Sequence, residues 1–266
     1  MAAYCKDVMK VSLFMNPYQT ISSPILNQAG LNCHAVLEIA TLPTELHENL
    51  LAQCPQADHF QQLILIGHGG PTMWQALQEK KYEQQADSAM DRNDEGHPID
   101  DFSIATVQQF LQTEWADCAY EILYPGSRTI GLQSLGKYAG WHHQSPFMVG
   151  INAYFGSWFA YRVVVLANTQ LAVTPRIEMP SPCSSCSDRV CIAACPAQAL
   201  NDGQFNLNKC LDYRQQAASL CEQTCVARVA CPVGETHRYT DAQINYHYGR
   251  SINMIRIWQQ EKTRKI

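Results

Sequence analysis

At 266 residues the chain is long enough for one large domain or two small ones with a true core, and its 46% hydrophobic content excludes intrinsic disorder. Charged residues make up 16%, below the roughly 25% of an ordinary soluble domain, and a net charge of −5 argues against broad, non-specific affinity for nucleic acid. The unusual component is twelve cysteines.

The first ten residues, MAAYCKDVMK, place Lys6, Asp7 and Lys10 where a signal peptide needs an apolar run, which predicts a cytoplasmic protein. From Leu31 to Pro182 short apolar strands alternate with helical segments, so the expected class is α+β with α/β layering. CHAVLEIA and QLILIG read as strands, and the second runs into His68, Gly69, Gly70 and Pro71, a glycine turn leading to a helical stretch from Thr72 to Lys80. Turns of that kind often face a ligand. Polar residues 81–98 read as an exposed connection, Ile99 to Trp115 as a helix, AYEILYP as a strand and Ile130 to Gly140 as a further helix. A glycine-punctuated aromatic turn then precedes the β-branched run Val163 to Val165, a buried strand. The most apolar stretch of the chain carries Arg162 in its middle, and no run of eighteen apolar residues exists, so no membrane span is expected. The proline-rich TPRIEMPSP reads as a linker. At the far end, Thr240 and Gln243 have capping-box spacing, and Ile244, Tyr248, Ile252, Ile255 and Trp258 continue as one face of a helix. The expected divisions are a front domain over residues 1–178, a cysteine module over 179–236 and a terminal helix over 237–266 that packs back on the body.

Eight of the cysteines fall in that module: Cys183-x2-Cys186-x4-Cys191-x3-Cys195-Pro, then Cys210, then Cys221-x3-Cys225-x5-Cys231-Pro. Both halves end in Cys-Pro. The two-cluster ferredoxin run is C-x2-C-x2-C-x3-C-P, in which the fourth cysteine ligates the other cluster. On that pattern one [4Fe-4S] cluster takes Cys183, Cys186, Cys191 and Cys231, and the second takes Cys195, Cys210, Cys221 and Cys225. Thiolates are soft anionic donors suited to iron, and the ligand count closes with none left over. The loops are wider than the ferredoxin pattern, so two four-thiolate zinc sites remain an alternative, and a disulfide framework a weaker one. Cys5, Cys33, Cys54 and Cys118 read as ordinary thiols.

The cysteine module, preceded by GWHHQSPFMVGINAYFGSWFAYRVVVL, resembles the epoxyqueuosine reductase group, which joins a corrinoid-binding, nitroreductase-like domain to a ferredoxin-like module with two [4Fe-4S] clusters. The turn and strand formed by Phe155, Gly156, Trp158, Phe159, Arg162 and Val163 to Leu166 are also similar to the CblC cobalamin-processing proteins, with Ser157 in place of a second glycine. Looser similarity to CblC runs through His97-Pro98-Ile99-Asp100 and through Arg238-Tyr239-Thr240 to Gln243 and Tyr246. The resemblance implies a nitroreductase-like front domain that holds cobalamin and is supplied with electrons by the clusters. It puts Trp141, His142, His143, Ser145, Phe155, Gly156, Trp158 and Arg162 in contact with the cofactor. It leaves the catalytic acid open, with His142, His143 and Tyr124 as candidates. Where epoxyqueuosine reductases carry a general-acid aspartate, this chain reads ILYPGSRTIG without a carboxylate, so transfer RNA is the less favoured partner.

The function expected is therefore an iron–sulfur oxidoreductase that reduces cobalamin, removing its upper ligand or using it to reduce a substrate, and that takes electrons from a redox partner. The alternatives are a cobalamin carrier without turnover, and a flavin-using reductase or plain electron-transfer protein; no GxGxxG fingerprint follows any expected strand. Arg228, Arg238, Arg250, Arg256, Lys262, Arg264 and Lys265 make the C-terminal third basic, which reads chiefly as a solvated helix face.

Overall fold

The computed structural model describes residues 16–87, 97–201 and 204–264. Cys5, Lys265 and half of the expected connection over 81–98 lie outside the described residues. In chain order the principal elements are α1 (Pro24–Gln28), β1 (Cys33–Glu38), α2 (Thr44–Gln53), β2 (Gln62–Gly69), α3 (Thr72–Asp87), α4 (Pro98–Glu114), β3 (Tyr120–Tyr124) and α5 (Leu132–Tyr138). They continue with β4 (His143–Gln144), β5 (Gly150–Ile151), β6 (Phe159–Ala167), α6 (Val190–Ala193), α7 (Leu207–Arg214), α8 (Val226–Ala230) and α9 (Asp241–Arg264). The chain divides into two compact units, Met1–Trp141 with Phe159–Glu178, and His142–Trp158 with Met179–Ile266.

The first unit is built on a four-stranded sheet in the order β1-β2-β6-β3, with every neighbouring pair antiparallel. The chain is thus α+β. Alternation of strands and helices along the sequence suggested a layered α/β arrangement, but it does not fix strand direction: the connection through α2 starts and finishes at the same end of the sheet, so β1 and β2 run oppositely. Both central strands are Val/Ile/Leu-rich, and β2 is buried at all eight of its positions. Helix α4 opens with Pro98 in its first turn and two acidic residues, Asp100 and Asp101, which suit a helix N-terminus. It contributes Ile99, Phe102, Val107, Phe110 and Leu111 to the core beside β6. The expected glycine turn is shifted: β2 continues through His68 and Gly69, and the chain turns at Gly70 with φ +77° before α3. At Gly67 the pairing of β2 with β6 slips by one residue, and a Cβ there would lie 2.6 Å from the Ala160 carbonyl oxygen.

In the second unit, Phe147, Ile151, Cys191, Leu200, Ala227 and Cys231 form one core, and α6 packs against α8. A second core joins Trp158, Tyr239 and Ile244, flanked by Val229 and Tyr248. The terminal helix is capped as its spacing predicts on one side only: the Gln243 amide N–H donates to Thr240 Oγ1 at 3.2 Å. The reciprocal half of a capping box is not made, because the Gln243 side chain is wholly buried and neither its oxygen nor its nitrogen has a hydrogen-bond partner. No described helix is long and apolar enough to cross a membrane.

Candidate metal centre

The cysteine segment folds as short helices because Cys-Pro pairs and polar turns interrupt it, and those helices distribute its thiols. Cys191 lies within α6 and Cys195 follows it; Cys225 caps the N-terminus of α8 and Cys231 its C-terminus. Burial lifts the thiols of Cys183, Cys191 and Cys231, and the cysteine charges that act on each come from the set Cys183, Cys186, Cys191 and Cys231. Burial likewise lifts Cys210, to about 11, as well as Cys221 and Cys225, whose cysteine neighbours are drawn only from Cys195, Cys210, Cys221 and Cys225. The cysteine neighbours of these six thiols thus fall into two groups, Cys183, Cys186, Cys191 and Cys231, and Cys195, Cys210, Cys221 and Cys225. Each of the two short helices brackets one member of each set.

Both quartets receive backbone N–H donors, from Ile192 to Cys191 and Val233 to Cys231 in the first, and from Val226 to Cys221 and Arg228 to Cys225 in the second. None of the eleven described cysteines is in a disulfide. Among the described residues no three His, Cys, Asp or Glu side chains converge as the ligands of a single metal ion would. The donor chemistry nevertheless fits a polynuclear thiolate-bound cluster: each quartet is four sulfurs and nothing else.

The surroundings of the two quartets differ. The first opens on a cleft of ≈ 630 Å³ lined by Cys183, Cys186 and Cys191 together with Gln144, Ser145 and Met148. The arginines that act on it are exposed Arg189 and half-exposed Arg238, the latter 3.7 Å from the Glu235 carboxylate. The second quartet is flanked by two buried arginines, Arg214 and Arg228, at 7% and 8% exposure. Arg214 donates to the carbonyls of Cys221 at 3.0 Å, Tyr248 at 3.1 Å and Glu222 at 3.4 Å, and to Ser251 Oγ at 3.1 Å. Arg228 donates to Ser157 Oγ at 3.2 Å and to the Ser157 carbonyl at 2.5 Å, and lies over the Trp158 ring at 4.4 Å. The Tyr248 hydroxyl is within hydrogen-bonding reach of both Cys225 Sγ and Arg228, and burial ahead of the Cys225 charge pushes its pKa up to about 12, so it remains a donor. The sequence reading missed Arg214 altogether and took Arg228 for a solvated residue. The available signal was spacing, Arg214 four residues after Cys210 and Arg228 three after Cys225, which returns each to the side of the helix that carries the thiol.

The residues expected to touch a corrinoid are placed otherwise. Trp158 is fully buried, with Arg228 over its ring and Tyr239 at 5.4 Å. Trp141 stacks on Tyr161 at 5.6 Å and meets the edge of Tyr18 at 6.2 Å. Phe155 sits between Tyr154 and His237, at 4.8 Å from each. All three of these aromatics are buried against protein groups. Gly156 is a pin: its φ is +59°, and a Cβ there would overlap the Val233 carbonyl, while Gly234 meets Phe155 in return. Ser145 donates to the Val149 carbonyl at 2.5 Å and lines the cleft at the first quartet. His142 and His143 are half-exposed, and His143 Nε2 is 2.7 Å from the Met179 carbonyl oxygen. In the sheet unit, Arg162 is half-exposed and its Nε donates to His68 Nδ1 at 2.9 Å. Tyr124 stands near that arginine, its pKa raised by burial and by Asp100.

No family model and no curated protein matches the chain. Among solved structures, the B12-trafficking protein CblC of C. elegans aligns with a TM-score of 0.50 at 14% identity, over 93% of this chain and 92% of its own. The epoxyqueuosine reductase of Streptococcus thermophilus aligns with a TM-score of 0.48 at 12% identity, over 87% of this chain and 68% of its own. An epoxyqueuosine reductase holding a modified transfer-RNA stem loop aligns with a TM-score of 0.46 at 12% identity, over 90% and 68%. The chain therefore has structural neighbours in both groups named on sequence grounds, and at these identities the likeness concerns the fold.

Proposed function

We propose that this chain is an iron–sulfur oxidoreductase that holds two [4Fe-4S] clusters and delivers electrons to cobalamin as its substrate. The observation that carries the first half is the sorting of eight thiols into two all-cysteine quartets, Cys183, Cys186, Cys191 and Cys231, and Cys195, Cys210, Cys221 and Cys225. Two buried guanidinium groups with no carboxylate partner among the described residues support it, because a buried cation needs a compensating anion and a four-thiolate cluster is one. When bound, such clusters supply single-electron transfer. The protein's own part is to hold four thiolates per site and donate hydrogen bonds to their sulfurs.

The corrinoid half rests on the likeness to CblC, named for trafficking of B12. Among the expected contacts in the cysteine-bearing unit, His142 and His143 are the half-exposed polar side chains. The absence of a carboxylate from residues 122–131 favours cobalamin over a modified transfer RNA as the electron acceptor.

The test is anaerobic reconstitution with iron and sulfide, followed by metal analysis, electron paramagnetic resonance and titration of the dithionite-reduced protein with hydroxocobalamin. About eight irons per chain and a saturable conversion of the corrinoid to a reduced spectrum are expected. Bound zinc in place of iron overturns the reading entirely. Clusters without any corrinoid response leave a plain electron-transfer protein, and stoichiometric binding without turnover makes it a carrier.

A further inference from the structure

Outside the ligands themselves, the feature that most separates the two quartets is charge. Arg214 and Arg228 are buried, neither has a carboxylate partner among the described residues, and both are arginines, which stay protonated in proteins. Arg214 donates to the Cys221 carbonyl at 3.0 Å and follows Cys210 by one turn of α7, and Arg228 lies one turn after Cys225 on α8, so three of the four thiols in the second quartet have a buried guanidinium beside them in the fold or one helical turn away. Tyr248 extends the arrangement: Arg228 reaches its oxygen, and its hydroxyl reaches Cys225 Sγ. The Arg214 guanidinium also lies 5.3 Å from the centre of the Tyr248 ring and bonds the backbone carbonyl of the same residue. At the first quartet, by contrast, Arg189 is exposed and Arg238 faces Glu235, so their charges are screened by solvent or by a carboxylate. Backbone N–H donors serve both quartets and do not separate them.

Reduction adds one negative charge to a cluster that is already anionic. Cluster potential is set by net charge, hydrogen bonds to sulfur and exposure, and a fixed cation in a poorly screened environment stabilises the more negative state most. We propose that Arg214, Arg228 and Tyr248 are positioning residues that raise the reduction potential of the second cluster above that of the first, so that an electron shared by the pair rests on Cys195, Cys210, Cys221 and Cys225. The proposal rests on the two-cluster reading above and goes beyond it by ordering the clusters.

The experiment is a redox titration of the reconstituted full-length protein, followed by electron paramagnetic resonance, comparing the unaltered chain with Arg214→Gln, Tyr248→Phe and Arg189→Gln. Two separate midpoints are expected for the unaltered chain. Arg214→Gln lowers the upper one by at least tenfold in the one-electron equilibrium constant, which is 59 mV, and Tyr248→Phe lowers it by about threefold. The lower midpoint moves less than twofold in both, and Arg189→Gln moves neither midpoint by more than twofold. Tyr248→Phe keeps the ring and decides the matter even where loss of a buried arginine prevents folding. Unchanged midpoints with full iron content, equal shifts of both, or a shift confined to the lower one each overturn the ordering alone. A chain that takes up no iron overturns the cluster reading with it, and metal analysis tells the two failures apart.

Discussion

The first quartet, open on its cleft and attended by a surface arginine, and the second, enclosed by two buried arginines and a tyrosine, have the same ligand type, the same number of ligands and the same kind of backbone donor. They differ in what lies just behind the sulfurs. A motif can repeat along a chain and still produce two unequal sites, because the residues that set a site's charge are contributed by whatever packs against it.

The sharpest way to break that comparison is to remove one thiol from each side. Cys225→Ala should halve the iron content and, by leaving Arg214 and Arg228 without their anion, cost about 3–5 kcal/mol in stability, whereas Cys183→Ala should halve the iron with a smaller stability loss. Equal losses in denaturant titrations of the two variants would show that the buried arginines do not depend on the second cluster. Gly156→Ala tests the pin beside the first quartet: the residue has φ +59° and its new methyl would overlap the Val233 carbonyl, two residues after Cys231. We expect a loss of about 4 kcal/mol, the sum of left-handed strain and overpacking, with the lability falling on the first cluster when iron release is timed.

The sheet unit carries an acid sensitivity of its own, which a variant at His34 separates from that of the thiolate sites. His34 is fully buried; its Nδ1 accepts the Ile21 N–H at 3.2 Å and its Nε2 lies 2.6 Å from the Leu31 carbonyl, so the neutral ring satisfies both neighbours. Burial holds its pKa down to about 4, against an ordinary 6.5. The unfolded chain therefore binds the proton more readily between those values, and the stability due to the neutral ring is present above pH 6.5 and lost as the pH falls toward 4, by about 3 kcal/mol. Thermal unfolding followed by circular dichroism should show this loss, and His34→Gln should flatten it; an unchanged slope in the variant assigns the acid sensitivity elsewhere. The smallest effect is expected at Arg256, 2.7 Å from the Glu222 carboxylate, with both side chains more than 40% exposed. Arg256→Ala should change stability by less than about 1 kcal/mol and move neither midpoint, since an exposed guanidinium is screened; a shift comparable to that of Arg214→Gln would mean that burial is not what distinguishes the second quartet.

Much of this was legible in the sequence because it depends on local pattern. The β-branched run Val163 to Val165, the unbroken apolar run Leu63 to Ile66 and the helical spacing of Ile99 to Leu111 each determine an element through the burial of neighbouring positions. Cysteine spacing names eight thiols of one chemical kind, gathered in one segment of the chain. The short helix α2 and the β4–β5 hairpin were not legible, since neither has a periodic run long enough to stand out.

What only the tertiary structure decided is which side chains close on which. The order of spacing cannot say that β1 and β2 are antiparallel, that residues 142–158 fall in one unit with the cysteines, or that Trp158 is covered by Arg228 and therefore shut away from any ligand. An aromatic residue beside glycine looks the same in sequence whether it lines a cofactor or fills a core. The sequence by itself determined the donors and most of the elements, because both are matters of residue type at short spacing. Burial and the charge behind each sulfur were left to the fold, because they arise from contacts between segments far apart in the chain.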